Sequence, residues 1–265
     1  MNVAGKTIVV TGGASGIGRA LARRFAAEGA RAVVVADRDG DGARAVADEL
    51  AAAHVGALRA AGERVDVALD ADVAGLVERT ERDVGPIDLF CSNAGIVFEG
   101  GVATPDADWQ RMWSIHVMAH VFAARALVPR MLARGGGYLL QTASAAGLLS
   151  QVGSAPYAVT KHAAVSLAEW LAITYGARGI KVSVLCPQAV RTAMLAGTEE
   201  GGVAGVDGVL EPEQVADAVI EGLADERFLI LPHPQVLEYL RRKTADYDRW
   251  IRGMQRLQER FGRPG

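Results

Sequence analysis

The 265-residue sequence contains only two cysteines, Cys91 and Cys186. Both lie in apolar runs that look like strands, and no histidine or second cysteine stands beside either at the spacing of metal ligands. In the sheet predicted below, a third strand separates them, so they would be about 9–10 Å apart, too far for a disulfide. We therefore expect two reduced core residues and no bound metal.

The sequence also lacks a strong net charge and a long apolar run. Its formal net charge is -3, and no basic block with interleaved aromatic residues precedes the C-terminal tail, so nucleic acid is not an expected partner. No apolar run approaches the roughly 20 residues that a membrane helix requires. The N-terminal residues lead into a strand without a signal peptide. These features predict a cytoplasmic protein with no membrane partner.

Strand-like and helix-like segments alternate along the chain, without repeats or a low-complexity linker. Strands are predicted at TIVVTG, RAVVVAD, ERVDV, IDLFCSN, GYLLQTAS, IKVSVLC and FLILP, whereas the alanine-rich AAAHVGALRAAGE fits neither class. Apolar strands separated by helices indicate a parallel sheet that is buried on both faces. We therefore predict an α/β fold: a doubly wound, mostly parallel seven-stranded sheet with helices on both faces. It forms one Rossmann-like domain, residues 1–233, followed by a helical extension, residues 234–265.

A glycine-rich run follows the first predicted strand, at the end where a doubly wound sheet binds its ligand. Glycines there permit a tight turn and close approach of the backbone to a pyrophosphate, and the next helix directs its first N–H groups at the phosphates. The position of the run favours dinucleotide binding over a simple strand-to-helix turn. The predicted phosphate-binding residues are Gly12, Ser15, Gly16, Ile17 and Gly18.

Asp37 closes the second predicted strand, nineteen residues after Gly18. A carboxylate at this place binds the adenosine ribose hydroxyls and would repel a 2'-phosphate. Arg38 follows and could bind that phosphate, but Ser15 in the glycine-rich run is not basic. The balance favours NAD over NADP as the cofactor. A helix cap or turn residue is the alternative role for Asp37.

Tyr157 and Lys161 stand four residues apart in a predicted helix, so both side chains project from one face. An ammonium beside a phenol favours the phenolate and would bring the Tyr157 pKa from about 10 towards neutrality, where a general base is useful. Ser144, at the end of a predicted strand, adds a hydroxyl that could fix a substrate oxygen. Such a tyrosine–lysine pair often arises by chance, and its place downstream of a dinucleotide motif is what favours catalysis.

Together these features resemble the short-chain dehydrogenase/reductase family. The resemblance is carried by TGxxxGxG at 11–18, NAG at 93–95, Ser144, YxxxK at 157–161, and Pro187 with Thr192. These motifs occur in the family's order and span most of the predicted core. The resemblance implies an oxidoreductase that transfers a hydride between NAD(H) and a secondary alcohol or ketone, without a metal. Tyr157 would then be the general acid/base, Ser144 would position the substrate oxygen, and Lys161 would also bond the nicotinamide ribose.

The same resemblance implies further cofactor contacts. Asp66 and Val67 after the third strand would contact the adenine. A second Asp-Val pair, Asp72–Val73, would leave too short a helix before Asn93, so we prefer Asp66 for the adenine contact. The remaining implied contacts are Asn93, Ala94 and Gly95 beside the adenosine, and Pro187, Val190 and Thr192 near the nicotinamide. Residues 93–95 could instead be turn formers, because Asn and Gly tolerate unusual backbone angles.

Two positions depart from the family pattern. His116 stands where relatives usually have an asparagine that helps hold a water linking the lysine to solvent. An imidazole can also donate and accept, so His116 could preserve this proton relay, or it could be a buried histidine satisfied by a backbone carbonyl. Gln188 stands where relatives usually have glycine, and it either contacts the substrate or points outward.

The last third of the chain leaves more open. Residues 193–211 are glycine-rich with little periodicity, which suits a mobile lid over the substrate or a disordered surface loop. In the tail, Tyr247, Trp250, Met254, Leu257 and Phe261 recur at helical spacing and form one apolar stripe. Such a helix needs a partner, either the parent domain or a neighbouring subunit; interspersed acidic residues make a membrane surface the weaker alternative.

The predicted pocket segments are mostly apolar or small, which favours a hydrophobic alcohol or ketone as the substrate. An NADP-dependent carbonyl or 3-oxoacyl reductase and a non-catalytic NAD-binding regulator are the alternative functions. The resemblance also implies a homotetramer or homodimer, joined through helices near residues 105–133 and 155–178.

Overall fold

The computed structural model describes residues 1–195 and 199–261, the side chains of residues 199 and 200 excepted. Residues 196–198 of the predicted lid and 262–265 of the predicted tail lie outside this description. The strands are β1 Thr7–Thr11, β2 Ala32–Asp37, β3 Arg59–Arg64, β4 Leu89–Ser92, β5 Gly137–Thr142, β6 Ile180–Leu185 and β7 Leu229–Ile230. The α-helices are α1 Gly16–Ala27, α2 Gly40–Ala53, α3 Asp70–Asp83, α4 Asp106–Trp113, α5 Ala119–Ala133, α6 Ala155–Tyr175, α7 Pro212–Ala224, α8 Gln235–Ala245 and α9 Tyr247–Phe261.

The strands form one parallel sheet in the order β3-β2-β1-β4-β5-β6-β7. Val9 of β1 pairs with Val34 on one side and with Phe90 on the other. The strand order reverses between β1 and β4, and a crevice opens at the carboxyl ends of strands where this happens. The predicted doubly wound parallel sheet is confirmed.

Two helix layers cover the sheet because successive strand residues face opposite sides. Val9 points into a core shared with α3, α5 and α6. Ile8 and Val10 point into the opposite core, which α1, α2 and α7 cover. Both faces of the central strands are therefore buried, and the strand ends are the places left for a ligand.

The third strand lies earlier than the sequence pattern predicted. We expected ERVDV, but β3 is RAAGER, Arg59–Arg64, within the alanine-rich stretch that the pattern did not assign. A Cβ added at Gly62 would lie 2.5 Å from the Arg44 backbone, so α2 packs directly on this edge strand. Small side chains allow that contact, and close packing here outweighs the low strand propensity of Ala and Gly.

The prediction for the cysteines is confirmed. Cys91 in β4 and Cys186 directly after β6 are free and buried, and β5 lies between their strands. Within the described part of the chain, no helix has the length and apolar character needed to cross a membrane.

Candidate active site

A large cleft of about 2180 Å³ opens at the carboxyl ends of the strands. Nearly all the predicted site residues line it. These are Gly12, Ser15, Gly16, Ile17, Asp37, Arg38, Asp66, Val67, Asn93, Ala94, Gly95, Ser144, Tyr157, Lys161, Pro187, Gln188, Val190 and Thr192. Gly18 and His116 are not part of its lining and lie behind it.

The glycine-rich turn is packed too tightly for side chains at two positions. A Cβ at Gly12, which has φ +65°, would lie 2.8 Å from the Ala94 Cα atom. A Cβ at Gly18 would lie 2.0 Å from the Gly12 carbonyl oxygen. Ser15 caps α1 without a side-chain hydrogen bond, which leaves the first N–H groups of the helix available. This backbone cradle fits a dinucleotide pyrophosphate, which such N–H groups and the helix dipole attract.

Asp37 lines the cleft and also takes part in the turn. Its carboxylate accepts hydrogen bonds from the Ala14 and Asp39 backbone N–H groups at 3.1 and 3.0 Å. A carboxylate has about four lone-pair sites, so these two bonds leave room for ribose hydroxyls. The geometry therefore shows the turn role of Asp37, and its carboxylate also lines the cleft.

The two Asp-Val pairs are separated by the structure. Asp66 and Val67 line the cleft directly after β3. Asp72 lies in the first turn of α3, and its carboxylate accepts a hydrogen bond from the Asp66 backbone N–H at 2.9 Å. Asp72 thus holds the turn that presents Asp66.

Asn93 joins the ends of three strands. Its side-chain N–H group donates to the Thr11 carbonyl at 3.1 Å, and its side-chain oxygen accepts from the Thr142 hydroxyl at 3.1 Å. The Thr11 hydroxyl accepts the Asn93 backbone N–H at 3.0 Å. Thr11 is the first residue of the glycine-rich motif but was not among the predicted site residues, and Thr142, whose only signal is that it is the last residue of its strand, was missed.

Ser144, Tyr157 and Lys161 are brought together by a short turn that packs on α6. Ser144 caps a 3-10 turn at Ala145–Gly147, where its hydroxyl accepts from the Ala146 N–H at 3.1 Å. A Cβ at Gly147 would lie 2.4 Å from the Lys161 carbonyl oxygen, so only glycine allows this approach. The Lys161 amine lies 5.6 Å from the centroid of the Tyr157 ring and donates to the Thr142 carbonyl at 3.2 Å.

The electrostatics differ from the expectation for Tyr157. Burial raises the pKa of Tyr157 above its ordinary value, and a hydrogen bond with Ser144 offsets this only in part. Burial also lowers the pKa of Lys161 to about 8. Burial disfavours the charged form of each group, so the Tyr157 pKa is raised here, contrary to the lowering that the four-residue spacing predicted.

His116 lies at the kink where α4 and α5 are joined by a π-helical turn, Ser114–Met118. It is fully buried. Its Nε2 atom accepts from the Ile96 backbone N–H at 3.1 Å, so the proton is on Nδ1, which lies 2.9 Å from the Thr160 hydroxyl oxygen. Burial and the charge of Lys161 lower the His116 pKa well below its usual range. A neutral ring with both nitrogens engaged favours the buried, satisfied alternative, although its backbone partner is an N–H and not a carbonyl.

Gln188 forms part of the cleft wall. Its backbone N–H donates to His233 Nδ1 at 3.2 Å, and its buried side-chain oxygen has no hydrogen-bond partner among the described residues. Thr192 lies close to the glycine-rich turn: a Cβ added at Gly16 would be 3.0 Å from the Thr192 methyl carbon. His233, which is buried, was not identified from the sequence.

The described part of the predicted lid is folded over the cleft. It contains 3-10 turns at Ala193–Leu195 and Glu199–Gly205, and a bridge pairs Val190 with Leu210. Helix α9 lines the same cleft. Within residues 1–195 and 199–261, no group of three or more His, Cys, Asp or Glu side chains gathers as metal ligands would.

Comparison with known proteins agrees with this geometry. A family model described as short chain dehydrogenase matches residues 6–201. The 1-deoxy-11-beta-hydroxypentalenate dehydrogenase of Streptomyces exfoliatus is 36% identical over 95% of this chain and 91% of that protein. The 3beta-hydroxysteroid dehydrogenase 2 of Eggerthella lenta is 33% identical over 82% of this chain and 86% of that protein.

A similar solved structure is a short chain dehydrogenase/reductase from Burkholderia phymatum in complex with NAD. It has a TM-score of 0.84 and 30% identity, covering 94% of this chain and 96% of that one. The sheet order, the glycine-rich turn and the family match all point the same way. The chain therefore belongs to the short-chain dehydrogenase/reductase family and is an oxidoreductase acting on hydroxyl or ketone groups.

Proposed function

We propose that this protein transfers a hydride between NAD(H) and a hydrophobic secondary alcohol or ketone, with Tyr157 as the general acid/base. The observation that carries the proposal is that Ser144, Tyr157 and Lys161 line one cleft with the glycine-rich turn. The geometry thus brings a phenol, a hydroxyl and an amine to the mouth of a dinucleotide cradle. That combination suits acid–base chemistry beside a bound cofactor.

In the oxidation direction, the Tyr157 oxygen accepts the proton of the substrate hydroxyl as the carbonyl forms. Ser144 donates a hydrogen bond to the same substrate oxygen and stabilises charge that develops there. The Lys161 ammonium, held near the Tyr157 ring, stabilises the phenolate electrostatically. When bound, a nicotinamide ring would supply the acceptor for the carbinol hydride. Gly12, Gly16 and the first N–H groups of α1 would hold its pyrophosphate.

Two observations support NAD over NADP. The Asp37 carboxylate lines the adenosine end of the cleft and would repel a 2'-phosphate. The similar Burkholderia phymatum structure contains NAD. For the substrate, the relatives named above act on a hydroxypentalenate and on a 3beta-hydroxysteroid, as their names state, which supports a bulky alicyclic alcohol or its ketone.

The direct test uses Tyr157→Phe. We expect NAD(H) affinity within about twofold of wild type and a loss of turnover of at least about 1,000-fold, since general acid–base groups contribute this order of rate. Nicotinamide absorbance at 340 nm measures turnover on a panel of secondary alcohols and ketones, with NAD and NADP in parallel. Retained turnover in Tyr157→Phe would refute the assigned base, and tight NAD binding with no wild-type turnover would favour a regulator.

We also propose a cytoplasmic homotetramer or homodimer. Large apolar side chains are exposed on the helices expected to join subunits: Trp113 on α4, and Trp170 and Ile173 on α6 at 54% and 82% exposure. Exposed apolar patches of this kind mark contact surfaces. Trp170→Glu with Ile173→Glu should yield a smaller species in sedimentation, whereas Val55→Glu, at an exposed site after α2, should not.

The proposed cytoplasmic location rests on the cysteines: the free, buried thiols of Cys91 and Cys186 suit a reducing compartment.

A further inference from the structure

The apolar stripe of the tail faces the active-site cleft. Four of its five residues line the same cleft as Ser144 and Tyr157, namely Trp250, Met254, Leu257 and Phe261, whereas Tyr247 is not part of the lining and is 56% exposed. All four side chains are partly buried, whereas Ile251, which does not line the cleft, is 51% exposed. The parent domain is thus the partner of this stripe within the described structure, and the surface that the stripe meets is the open cleft.

Directed hydrogen bonds hold the tail in this place. The Lys243 amine donates to the Leu148 and Leu149 carbonyls at 2.7 and 3.0 Å, in the loop that follows Ser144. The Tyr239 hydroxyl donates to the Asp207 carboxylate at 2.8 Å, after the lid turns. Asp246 then starts α9 by accepting the Arg249 N–H at 2.9 Å. Helix α8 is therefore hydrogen-bonded both to the loop that follows Ser144 and to the lid. Helix α9 follows α8 directly and lines the cleft.

The apolar stripe of α9 is only partly covered by the parent domain. Although the stripe is strongly one-sided, none of its described residues is fully buried. A helix of this kind gains its stability by burying its apolar face. The cleft, at about 2180 Å³, exceeds the roughly 300–1,000 Å³ of a typical small-molecule pocket. It has room for a dinucleotide and for a large second ligand.

Other apolar side chains line the same cleft. Ile96 and Val97 after β4, and Leu149 and Val152 after the Ser144 turn, line the cleft. A substrate with a large apolar body can contact these side chains and the α9 stripe together, whereas a small alcohol leaves most of this apolar surface in contact with water.

We propose that α9 is a substrate-binding wall, in which Trp250, Met254 and Leu257 contact the apolar body of a bulky ring-containing alcohol or ketone. This inference rests on the proposed oxidoreductase function and assigns its size specificity to the tail. The wall favours bulky substrates because they bury the stripe, and it adds nothing to binding of small ones.

The test compares two secondary alcohols, decahydro-2-naphthol and 2-butanol, in NAD reduction by the full-length protein. Wild type should have the higher kcat/KM for decahydro-2-naphthol. Met254→Ala with Leu257→Ala should lower the ratio of the two kcat/KM values about tenfold, because several buried methyl and methylene contacts are lost. The matched control is Ile251→Ala, which removes a similar apolar side chain from the exposed face and should leave the ratio within about twofold of wild type.

Each of the other outcomes would contradict the proposal that α9 is a substrate-binding wall, or the oxidoreductase proposal on which it rests. An equal loss for both alcohols would mean that the stripe only supports the fold, and a wild-type preference for 2-butanol would also overturn the proposal. A changed sedimentation coefficient in the double variant would reassign the stripe to a contact with a second copy of the chain. In contrast, no wild-type turnover of any alcohol or ketone would defeat the oxidoreductase proposal itself. Fluorescence titration with NADH, expected to be unchanged, separates substrate from cofactor effects.

Discussion

We propose that one wall of the cleft binds the cofactor and another binds the substrate, and this cofactor wall and this substrate wall are built in different ways. The cofactor wall is backbone from strand ends and the glycine-rich turn, with no space for a Cβ at Gly12 or Gly18. The substrate wall is made of side chains from the lid and α9, where no described α9 residue is fully buried. A backbone cradle demands particular residues at particular places, whereas an apolar wall can be filled by many sequences. Cofactor binding therefore leaves a motif in the chain, and substrate choice does not.

The largest effect should come from filling the cofactor wall at Gly18. In Gly18→Ala the new Cβ would lie 2.0 Å from the Gly12 oxygen, so the turn must open and the cradle is lost. We expect NAD affinity to fall about 1,000-fold, or about 4 kcal/mol. Calorimetric titration with NAD measures it, with Gly176→Ala as the control, since a Cβ there meets nothing within 4 Å. If Gly18→Ala keeps its affinity for NAD, the turn can accommodate a side chain at this position, and the prediction is wrong.

The next effect concerns Lys161, which lines the cleft beside Tyr157. Because burial lowers its pKa from 10.5 to about 8, the unfolded chain binds more protons than the folded one between these pH values. Stability due to this group therefore rises from pH 8 to 10.5, and below pH 8 the charged amine opposes folding. Lys161→Met should abolish turnover yet stabilise the cofactor-free protein at pH 7 by about 3 kcal/mol.

The pH dependence makes this prediction specific. The stability difference between Lys161→Met and wild type, from urea unfolding, should shrink as the pH rises through 8 to 10.5. Lys181→Met, which removes a half-exposed surface lysine paired with Glu226, should show no such trend. A difference that is constant with pH would mean that methionine acts through packing alone.

Asp37 should give a smaller, more selective effect on the cofactor wall. Asp37→Ser removes the charge that opposes a 2'-phosphate and leaves Arg38 beside the site, so the NAD-to-NADP ratio of kcat/KM should fall about tenfold or more. Asp41→Asn, which neutralises an exposed carboxylate that does not line the cleft, is the control. If the ratio is unchanged, the bonds of Asp37 to Ala14 and Asp39 are its main role.

The sequence predicted the elements around the glycine-rich turn far better than those around α9. The sheet, its strand ends and the glycine-rich turn follow from apolar alternation and from the steric demands of Gly12 and Gly18. The third strand lies earlier than the sequence predicted, because its position depends on the packing of α2 against Gly62. This contact between separate elements leaves no local pattern in the sequence. Such a contact can override strand propensity.

The electrostatics and the tail could not be obtained from spacing. The four-residue spacing of Tyr157 and Lys161 predicts proximity, but their pKa values are dominated by burial, which depends on the whole fold. The stripe of α9 was visible in the chain, yet nothing local shows which surface it meets. Lys243, whose amine fixes α8 to the loop after Ser144, has no motif at all.

The smallest effect should come from His116, which joins the loop after β4 to α6 behind the cleft. Its ring accepts from the Ile96 N–H of the loop after β4 and contacts the Thr160 hydroxyl of α6, so it sets the distance between the cofactor loop and the catalytic helix without reaching the cleft. In His116→Asn, the amide oxygen can still accept the Ile96 N–H, and kcat should stay within about threefold of wild type.

The second variant, His116→Leu, leaves that N–H unpaired, which costs about 1–3 kcal/mol of stability. Its kcat should fall, but the pH dependence of turnover should keep its shape, because a neutral positioning residue does not titrate in this range. Steady-state turnover from pH 6 to 10, with thermal unfolding of both variants, measures these effects. A complete loss of turnover in the asparagine variant, or a displaced pH profile, would instead place the imidazole on the proton path from Tyr157.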